Sequence, residues 1–444
     1  MLHALVDLAP LRVSVPYRRL WVSGVLGGVG HQVAVVAVLL QVWESTRNPF
    51  WVGAIGLAQA IPMIVLGLLG GPLADVLDRR VVALWSTTGQ VLVALALASQ
   101  LVLGPVPLLV LLGLLSLQTA CSAVGAPSRR TFVVRLLPRH LVAAGVTLHM
   151  IAFQIGVLLG PALGGVLVAA TSPPAGYLLN ALTLLVAWWA VLRLPPMPPL
   201  RDPVDPADPE EPREPAAAPP AGPQDRDTRA TRVWRRTRRA AALLTEGVAL
   251  VVRDRVLRGS FLLDLAAMLL SFPVALFPMI NDQIFDGDPR TLGLFMSALA
   301  VGGAAAGLVS GLVSRSDRLG RVQIMAVGVW GLAMLTLGLG ALGGLAWVVL
   351  GALVVAGAAD VASVTSRAAT VQLATPDSHL GRVSAVEHVV GVAGPDLGNA
   401  RAGLVAGLTT PAVAAALGGA LCLVVTGWVA LTHREVARFR VSGA

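Results

Sequence analysis

Two long apolar runs of this chain are joined by the stretch Gly70-Gly71-Pro72-Leu73-Ala74-Asp75-Val76-Leu77-Asp78-Arg79-Arg80. Its last six residues carry four charges, whereas residues 48–69 and 81–103 on either side carry none. A charged segment between two apolar runs suits a short loop at a membrane surface. It predicts that the flanking runs are helices that cross a bilayer.

The composition also indicates a membrane protein. The 444 residues are 56% hydrophobic and 13% charged, whereas an ordinary soluble protein has roughly a quarter charged residues. A membrane-spanning helix needs about 20 mostly apolar residues. Runs of this kind lie near 20–43, 50–74, 81–103, 105–126, 141–170, 174–194, 257–280, 290–313, 322–341, 344–365, 383–408 and 410–431. We therefore predict an all-α membrane protein with twelve transmembrane helices.

The sixth and seventh runs are separated by a polar segment. Residues 195 to about 230 are rich in Pro, Asp, Glu, Ala and Arg without apolar periodicity, which predicts a disordered linker. The arginine-rich residues 232–239 then lead into an apolar-periodic stretch, which predicts an amphipathic helix on the inner leaflet. The expected domains are an N-terminal six-helix bundle at 1–194, a cytoplasmic linker with this helix at 195–256, and a C-terminal bundle with a short cytoplasmic tail at 257–444.

The basic residues predict the orientation. The chain has no lysine, so its 33 Lys+Arg positions are all arginines, and they lie almost wholly on one side of the predicted membrane. The opposite loops hold only Arg47 and Arg290. By the positive-inside rule both termini and the linker are cytoplasmic, as expected for a multi-pass protein of the cell inner membrane. The net charge of +9 then reflects topology, and no nucleic-acid partner is expected.

The two halves of the chain repeat each other. Ser128-Arg129 after the fourth run corresponds to Ser366-Arg367 after the tenth, and the Gly-Pro segment 160–164 corresponds to 394–398. Parallel repeats joined by a linker are typical of carriers in which one bundle rocks against the other around a site between them. We therefore expect two six-helix bundles with pseudo-two-fold symmetry.

The opening stretch resembles a known family motif. Gly71-x-Leu73-Ala74-Asp75-x-x-Asp78-Arg79-Arg80 looks like the loop between helices two and three of the major facilitator superfamily. Further similarity to its enterobactin-exporter and macrolide-efflux branch lies in Arg19-Leu20-Trp21, 57–62, Ala126-Pro127-Ser128-Arg129 and Gly381-Arg382-Val383. The resemblance covers nearly the whole chain except the linker. It implies a monomeric secondary carrier that works by alternating access, without cofactor or metal.

The resemblance also implies a gate at this loop. In the family, the residue corresponding to Asp75 meets the start of helix eleven, here near Arg382, and holds the cytoplasmic side shut. A carboxylate at a helix amino end is stabilised by about 0.3–2 kcal/mol. The implied gate residues are Gly71, Asp75, Asp78, Arg79, Arg80, Asp317, Arg321 and Arg382. The alternative is that these arginines only set the topology.

A second motif lies in helix five. Its residues are Gly156, Gly160, Pro161, Gly164 and Gly165. Small residues four apart allow close helix packing in lipid, and packing alone explains the pattern. The resemblance implies export, because the superfamily's exporters and antiporters carry this pattern, although Thr147 replaces the glycine expected nine residues before Gly156.

Polar residues within the spans are candidates for binding a proton or substrate, since a charge near the bilayer centre costs at least ~2.5–3.5 kcal/mol. They are His31, Asp264, Asp360, Asp396, Asn399 and Arg401. Imidazole titrates near neutral pH and can carry a coupling proton. Each of these residues also suits a structural role. The family's proton-antiport motif has an Arg early in helix four, but residues 105–118 contain none.

Enzyme chemistry is not expected. Residues 338–343 match a dinucleotide fingerprint but follow no strand, and a phosphate-binding loop needs a lysine that this chain lacks. Cys121 and Cys422 lie in distant apolar spans and predict neither a disulfide nor a metal site. We expect a carrier that expels an amphipathic small molecule, either a drug or a siderophore-like metabolite, in exchange for protons. A metabolite or lysolipid uniporter or importer, and a non-transporting sensor or scaffold on the same fold, remain open alternatives.

Overall fold

The computed structural model describes residues 7–198, 229–308 and 316–440, with side chains throughout except at 68–76, 229–237 and 239–241. Most of the predicted linker lies outside these ranges. Within them the chain is helical and has no strand. The membrane helices are α1 Val15–Thr46, α2 Pro49–Val76, α3 Arg79–Ala98, α4 Leu108–Arg130, α5 Val142–Ala170, α6 Pro173–Leu192, α7a Arg255–Ser271, α7b Phe277–Phe285, α8 Pro289–Leu308, α9 Leu319–Leu342, α10 Ala346–Ala374, α11 Leu380–Leu408 and α12 Pro411–Thr432.

Eleven segments of the described chain are long and apolar enough to cross a membrane. The twelfth helix, α11, is less apolar because it carries charged residues along its length, yet it packs closely against α2 in the middle of the molecule. The predicted all-α fold with twelve transmembrane helices is therefore confirmed.

The helices form two bundles that meet along two helix pairs. In the first bundle α1 packs on α5 and α6, while α4 packs on α2 and α3. In the second, α9 packs on α10 and α12, and α8 packs on α10. The bundles meet where α2 packs on α11 and where α5 packs on α8. These two helix pairs therefore form much of the interface between the bundles.

The glycines of α5 explain how closely it packs. A Cβ atom added to Gly156 would lie 3.0 Å from the Cα of Gly28 in α1, and one added to Gly165 would lie 3.1 Å from the Cα of Arg290 at the start of α8. Real Cβ atoms rarely come so close to backbone. Helix α5 thus joins α1 within its bundle to α8 across the interface through backbone contacts.

The two ends of the molecule differ. At the end that carries Arg47, a Cβ atom on Gly53 of α2 would lie 2.9 Å from the Cα of Gly403 in α11. Arg47 also forms a 2.7 Å ion pair with Asp282 of the other bundle. We call this the Arg47 end, and the opposite end, with Arg80 and Arg130, the arginine-rich end. There a cavity of ≈ 410 Å³ lies between α2 and α11.

The linker helix, Arg229–Arg253, lies at the arginine-rich end. Leu243 and Leu244 line the cavity between α2 and α11, and Val251 packs in an apolar cluster with Val383 of α11. The linker helix therefore packs against both α11 and α2 and lies in the gap between the bundles.

The seventh helix is broken, whereas the sequence predicted one continuous run. Helix α7a ends at Ser271, and α7b begins at Phe277 after a short 3-10 turn. Pro273 lies in the break, where a proline cannot donate a helical hydrogen bond. Two residues of α11 bind the freed backbone groups: Asn399 Oδ1 accepts a 2.9 Å hydrogen bond from the Ala275 amide, and Arg401 donates to the Leu270 carbonyl. The break is thus stabilised by α11.

Candidate functional site

A cavity of ≈ 350 Å³ lies between the two bundles, and we call it the central cavity. Its walls are mostly apolar, with polar groups contributed by both bundles. The lining includes Gln32, Phe153, Gln154, Val157 and Pro161 from the first bundle and Phe272, Val274, Phe277, Met296 and Asp360 from the second. The broken seventh helix and the Gly-Pro segment of α5 therefore form opposite walls of one cavity.

The carboxyl group of Asp360 has no hydrogen-bond partner for Oδ1 among the described residues, although this atom is buried. Buried polar atoms in proteins are nearly always hydrogen-bonded. The charges of Asp264 and Arg367 act on Asp360 electrostatically. The carboxyl group of this cavity-lining residue thus stays a candidate for binding a proton or a ligand.

Asp360 belongs to a larger group of charges in the second bundle, which we call the carboxylate cluster: Asp264, Asp360, Arg367 and Glu387. Arg367 of α10 forms an ion pair with Asp264 of α7a, and its Nε lies 3.4 Å from Glu387 Oε1 on α11. The Arg367 and Asp264 side chains are only 8% and 2% exposed. The Arg367 guanidinium therefore contacts two carboxyl groups and interacts with Asp360 at longer range. A proton on one of the three carboxyl groups would reduce the excess negative charge.

Sequence reasoning identified Asp264 and Asp360 but missed Arg367 and Glu387 as their partners. The sequence places Arg367 in the repeated Ser-Arg pair and among the arginines on the cytoplasmic side, whereas the structure buries its side chain. That repeat was the available signal, because an arginine at the same place in both halves lies in a corresponding position of each bundle. Asp360 and Arg367 are also seven residues apart, about two helical turns, which puts them on one face of α10.

Three other candidates on α11 lie away from this cluster. Asn399 and Arg401 bind the backbone at the break in the seventh helix. The backbone oxygen of Asp396 lies against Gly56 of α2. The Asp396 side chain makes no hydrogen bond or ion pair with any residue in the described part of the chain. Its predicted role therefore stays a prediction.

His31 lies in a separate cavity of ≈ 340 Å³ inside the first bundle. The neighbouring Gln32 faces the central cavity, so adjacent residues of α1 serve two different cavities. His31 and Asp360 of the carboxylate cluster therefore line different cavities, and the proton role of His31 stays a prediction.

Comparison with known proteins identifies the family. The Major Facilitator Superfamily model matches residues 20–394. This chain belongs to the Major Facilitator Superfamily. It is therefore a multi-pass membrane transporter and not an enzyme, as the sequence predicted.

Two relatives illustrate the similarity of this chain to other transporters. The enterobactin exporter EntS of Shigella boydii is 24% identical over 447 residues, which cover 98% of this chain and 96% of that protein. The uncharacterized MFS-type transporter YfiS of Bacillus subtilis is 29% identical over 160 residues, only 36% of this chain and 37% of that protein. Sequence identities of this size do not show which substrate this chain transports.

Solved structures of the superfamily share the fold. A POT family transporter in complex with 5-aminolevulinic acid has a TM-score of 0.72 at 12% identity, over 95% of this chain and 97% of that chain. A bacterial homologue of the iron transporter ferroportin in an inward-facing state has a TM-score of 0.64 at 14% identity, over 95% and 98%. Both likenesses support the two-bundle architecture.

The superfamily loop motif is only partly described. The side chains of Gly71 and Asp75 lie outside the described residues, so the predicted contact of Asp75 with α11 stays a prediction. Asp78 begins α3, because its Oδ1 accepts a 2.8 Å hydrogen bond from the Arg80 amide, and its Oδ2 accepts one of 3.0 Å from the Met197 amide. The described part of the motif thus holds the end of α6.

The other predicted gate residues also make contacts within their own half. Arg80 donates a 2.6 Å hydrogen bond to the Leu192 carbonyl at the end of α6, and the Arg79 amide donates to the Met197 carbonyl. In the second half Arg321 donates to the Ala437 carbonyl after α12. Asp317 beside it is exposed. These arginines therefore fasten the last helix of each bundle.

Arg382, at the start of α11, forms a 3.2 Å ion pair with Glu246 of the linker helix. A second contact at this end crosses between the bundles: Arg130 Nη2 lies 3.3 Å from the imidazole of His388. Among the described residues, no group of three or more His, Cys, Asp or Glu side chains could hold a metal ion. At the arginine-rich end, Arg382 thus pairs with the linker helix and Arg130 contacts the second bundle.

Proposed function

We propose that this transporter exports amphipathic small molecules, either drugs or siderophore-like metabolites, in exchange for protons. One observation carries the proposal. Asp360 lines the central cavity between the bundles, and its carboxyl group interacts electrostatically with the buried Arg367–Asp264 ion pair. A substrate and a proton can therefore compete for the same group.

Alternating access follows from the difference between the ends. The bundles are in backbone contact at the Arg47 end and are separated by a cavity at the arginine-rich end. The positive-inside rule assigns the arginine-rich end and both termini to the cytoplasm of the inner membrane. On this assignment the end in backbone contact faces the outside, and the end with the cavity, which the linker helix partly fills, faces the cytoplasm. This is the arrangement expected of the state that takes up a molecule for export.

The carboxylate cluster supplies a plausible chemistry for proton exchange. When all groups are ionised, three carboxylates face one guanidinium, and burying an uncompensated charge is costly. Binding a proton from outside relieves that cost, and releasing it inside restores the negative charge. A substrate with hydrogen-bond donors can then bind Asp360 in place of the proton.

The substrate class and direction rest on the cavity walls and on a relative. Phe272, Phe277 and Met296 offer an apolar surface, while Gln32 and Gln154 offer hydrogen bonds, which suits a molecule with both characters. The enterobactin exporter aligns over 98% of this chain. The Gly-Pro segment of α5, which resembles that of superfamily exporters, agrees with this direction.

We also propose the domain division into 1–194, 195–256 and 257–444 and a monomeric carrier. Asp75 would close the arginine-rich end by meeting the start of α11 after the linker helix has moved aside. Leu243 and Leu244 lie in that gap in the present structure. Closing this end therefore requires a rearrangement of the linker helix.

The test uses purified protein in proteoliposomes with an imposed pH gradient and a pH-sensitive dye inside. Adding enterobactin or erythromycin should collapse the gradient with the wild type, and the collapse should be lost with Asp360→Asn. The exposed Asp377→Asn is the matched control and should behave as wild type. Substrate flux without any change in the gradient would instead identify a uniporter, and binding without flux would identify a sensor or scaffold. An unchanged response with Asp360→Asn would exclude this residue from proton coupling.

A further inference from the structure

The cavity inside the first bundle is lined entirely by that bundle and is separate from the central cavity. One part of its wall is apolar and includes Trp21, Phe132 and Leu184. Another part carries polar side chains: Gln90, Gln118, Ser122, Arg129, His149 and Asn180. The described lining residues include cationic and neutral donors but no Asp or Glu.

Arg129 brings a positive charge to this cavity without a carboxylate partner. Its Nη1 donates a 3.0 Å hydrogen bond to Ser86 Oγ, and its Nη2 donates one of 2.9 Å to the Ser122 carbonyl. Both partners are neutral, and within the described part of the chain Arg129 forms no ion pair. Its charge is therefore uncompensated by protein.

The repeat in the sequence gives a direct comparison. Arg367, which corresponds to Arg129 in the second half, is paired with Asp264 and lies close to Glu387. Arg129 forms no corresponding ion pair with any acid among the described residues of the first half. An uncompensated cation inside a protein is unfavourable unless another anion accompanies it. The difference between the halves thus points to an anion from outside the chain.

Gln118 gives an independent indication of a ligand. Its Oε1 is buried without a hydrogen-bond partner, and its amide makes no hydrogen bond with any described residue. It precedes Arg129 on α4 by eleven residues, about three helical turns, so both side chains lie on one face of the helix. The Arg129 guanidinium reaches back along this face to the Ser122 carbonyl, and Ser122 follows Gln118 by four residues, about one turn. An amide without a partner can turn its NH₂ group toward an acceptor in the cavity.

We propose that this cavity is a binding site for a small amphipathic molecule with one anionic group, a carboxylate or similar oxyanion. Arg129 and Gln118 bind the anionic group, and the apolar part packs against Trp21 and Leu184. Arginine is well suited to such a group because its planar guanidinium matches the two oxygens. This site lies beyond the proposed export pathway and does not depend on the direction of transport.

The size of the cavity limits the ligand. A volume of ≈ 340 Å³ is near the lower end for small-molecule sites, which span roughly 300–1,000 Å³. Gly24 and Gly27 of α1 line it, and a Cβ atom at either would meet nothing within 4 Å. These glycines therefore leave space that a larger side chain would occupy.

The experiment measures binding to the full-length protein in phosphatidylcholine nanodiscs by equilibrium dialysis. The probes are 2-naphthoate and its neutral analogue 2-naphthamide, which share one apolar body. The wild type should bind naphthoate more tightly. Arg129→Gln should weaken naphthoate binding by roughly tenfold or more, as expected for loss of a charge-assisted hydrogen bond, and leave naphthamide binding unchanged. Arg129→Lys should keep part of the preference.

Arg130→Gln is the matched control for charge, because Arg130 is adjacent in sequence but exposed and contacts His388 instead. It should bind naphthoate as the wild type does. Two further variants keep the test informative if Arg129→Gln folds poorly. Gln118→Leu removes a group without a partner, so it should weaken naphthoate binding without lowering thermal stability. Gly27→Leu should fill the cavity and abolish binding of both probes.

Equal binding of the two probes to the wild type, or unchanged naphthoate binding in both Arg129→Gln and Gln118→Leu, would overturn the proposal. A second arm adds phosphatidylglycerol to the nanodiscs. A lipid headgroup as the natural occupant would displace naphthoate from the wild type there, whereas a soluble acid as the occupant would leave its binding unchanged. Displacement that also occurs in Arg129→Gln would place the lipid elsewhere and count against this site.

Discussion

Arg367→Gln tests whether the carboxylate cluster is held together by one buried cation. Arg367 is paired with Asp264, whose side chain is 2% exposed, and lies 3.4 Å from Glu387. Removing the guanidinium leaves Asp264 buried without its counter-charge. We expect a large loss of thermal stability and not only a loss of transport.

The size of the effect follows from two estimates. Coulomb's law at 3.4 Å with an effective dielectric constant of ~20 gives about 5 kcal/mol for the attraction between Arg367 and Glu387. Removing one partner of a buried ion pair typically costs about 3–5 kcal/mol. For a unit of about 200 residues each kcal/mol shifts the unfolding midpoint by roughly 2–4 °C. The midpoint should therefore fall by roughly 6–20 °C.

The assay is thermal unfolding of the detergent-purified protein, followed by tryptophan fluorescence. The double variant Arg367→Gln with Asp264→Asn removes both charges and should recover much of the loss. The control is Arg255→Gln, which breaks the exposed Arg255–Glu435 pair, with side chains 71% and 40% exposed. Exposed pairs contribute little, so its midpoint should hardly change. The reasoning is refuted when Arg367→Gln is as mild as Arg255→Gln, or when the double variant is no more stable than Arg367→Gln alone.

Two further predictions concern the Arg47 end and the carboxyl terminus. Gly403→Val should open the Arg47 end, because its Cβ atom would lie 2.7 Å from the Gly53 amide nitrogen. Gly407→Val is the control and should leave that end closed, because the nearest backbone atom to its Cβ lies at 3.8 Å. Distances between spin labels across that end measure the opening. His433→Asn should flatten the pH dependence of thermal stability. Burial, and then the charge of Arg258, lower the pKa of His433 below its usual 6.5, so the unfolded chain binds the proton more readily and wild-type stability should fall as the pH drops below about 6.5. Equal slopes for the wild type and His433→Asn would contradict this.

The sequence predicted the membrane helices well because a membrane-spanning helix is recognised from the mean hydropathy of a whole segment, whatever its contacts with other helices. Averaging over some 20 residues finds a span wherever apolar side chains must face lipid. The same averaging hides the break near Pro273, since Phe272 and Val274 beside it are apolar. Pro273 and Pro278 were visible signals, but a proline within a membrane helix is also compatible with a continuous helix. The break depends on Asn399 and Arg401, which lie more than a hundred residues away.

The site was predicted only in part, because pairing across helices depends on how each helix is rotated. Asp264 and Asp360 were identified from the cost of placing a charge in a membrane. Asp264 contacts Arg367 because α7a packs against α10, and the sequence does not show which helices pack together. Arg129 and Arg367 have similar sequence surroundings. The folded structure distinguishes them, because Arg367 is paired with Asp264, whereas Arg129 donates only to neutral groups among the described residues.

The contact between α2 and α11 has a mechanical consequence. Gly53 meets both the Asn399 carbonyl and Gly403 on α11, while the Asn399 side chain holds the Ala275 amide at the break. One turn of α11 therefore contacts α2 at the Arg47 end and also holds the break in the seventh helix beside the central cavity. A displacement of α11 relative to α2 at the Arg47 end would therefore also displace the Ala275 amide at the break, whose neighbours Phe272 and Val274 line the central cavity.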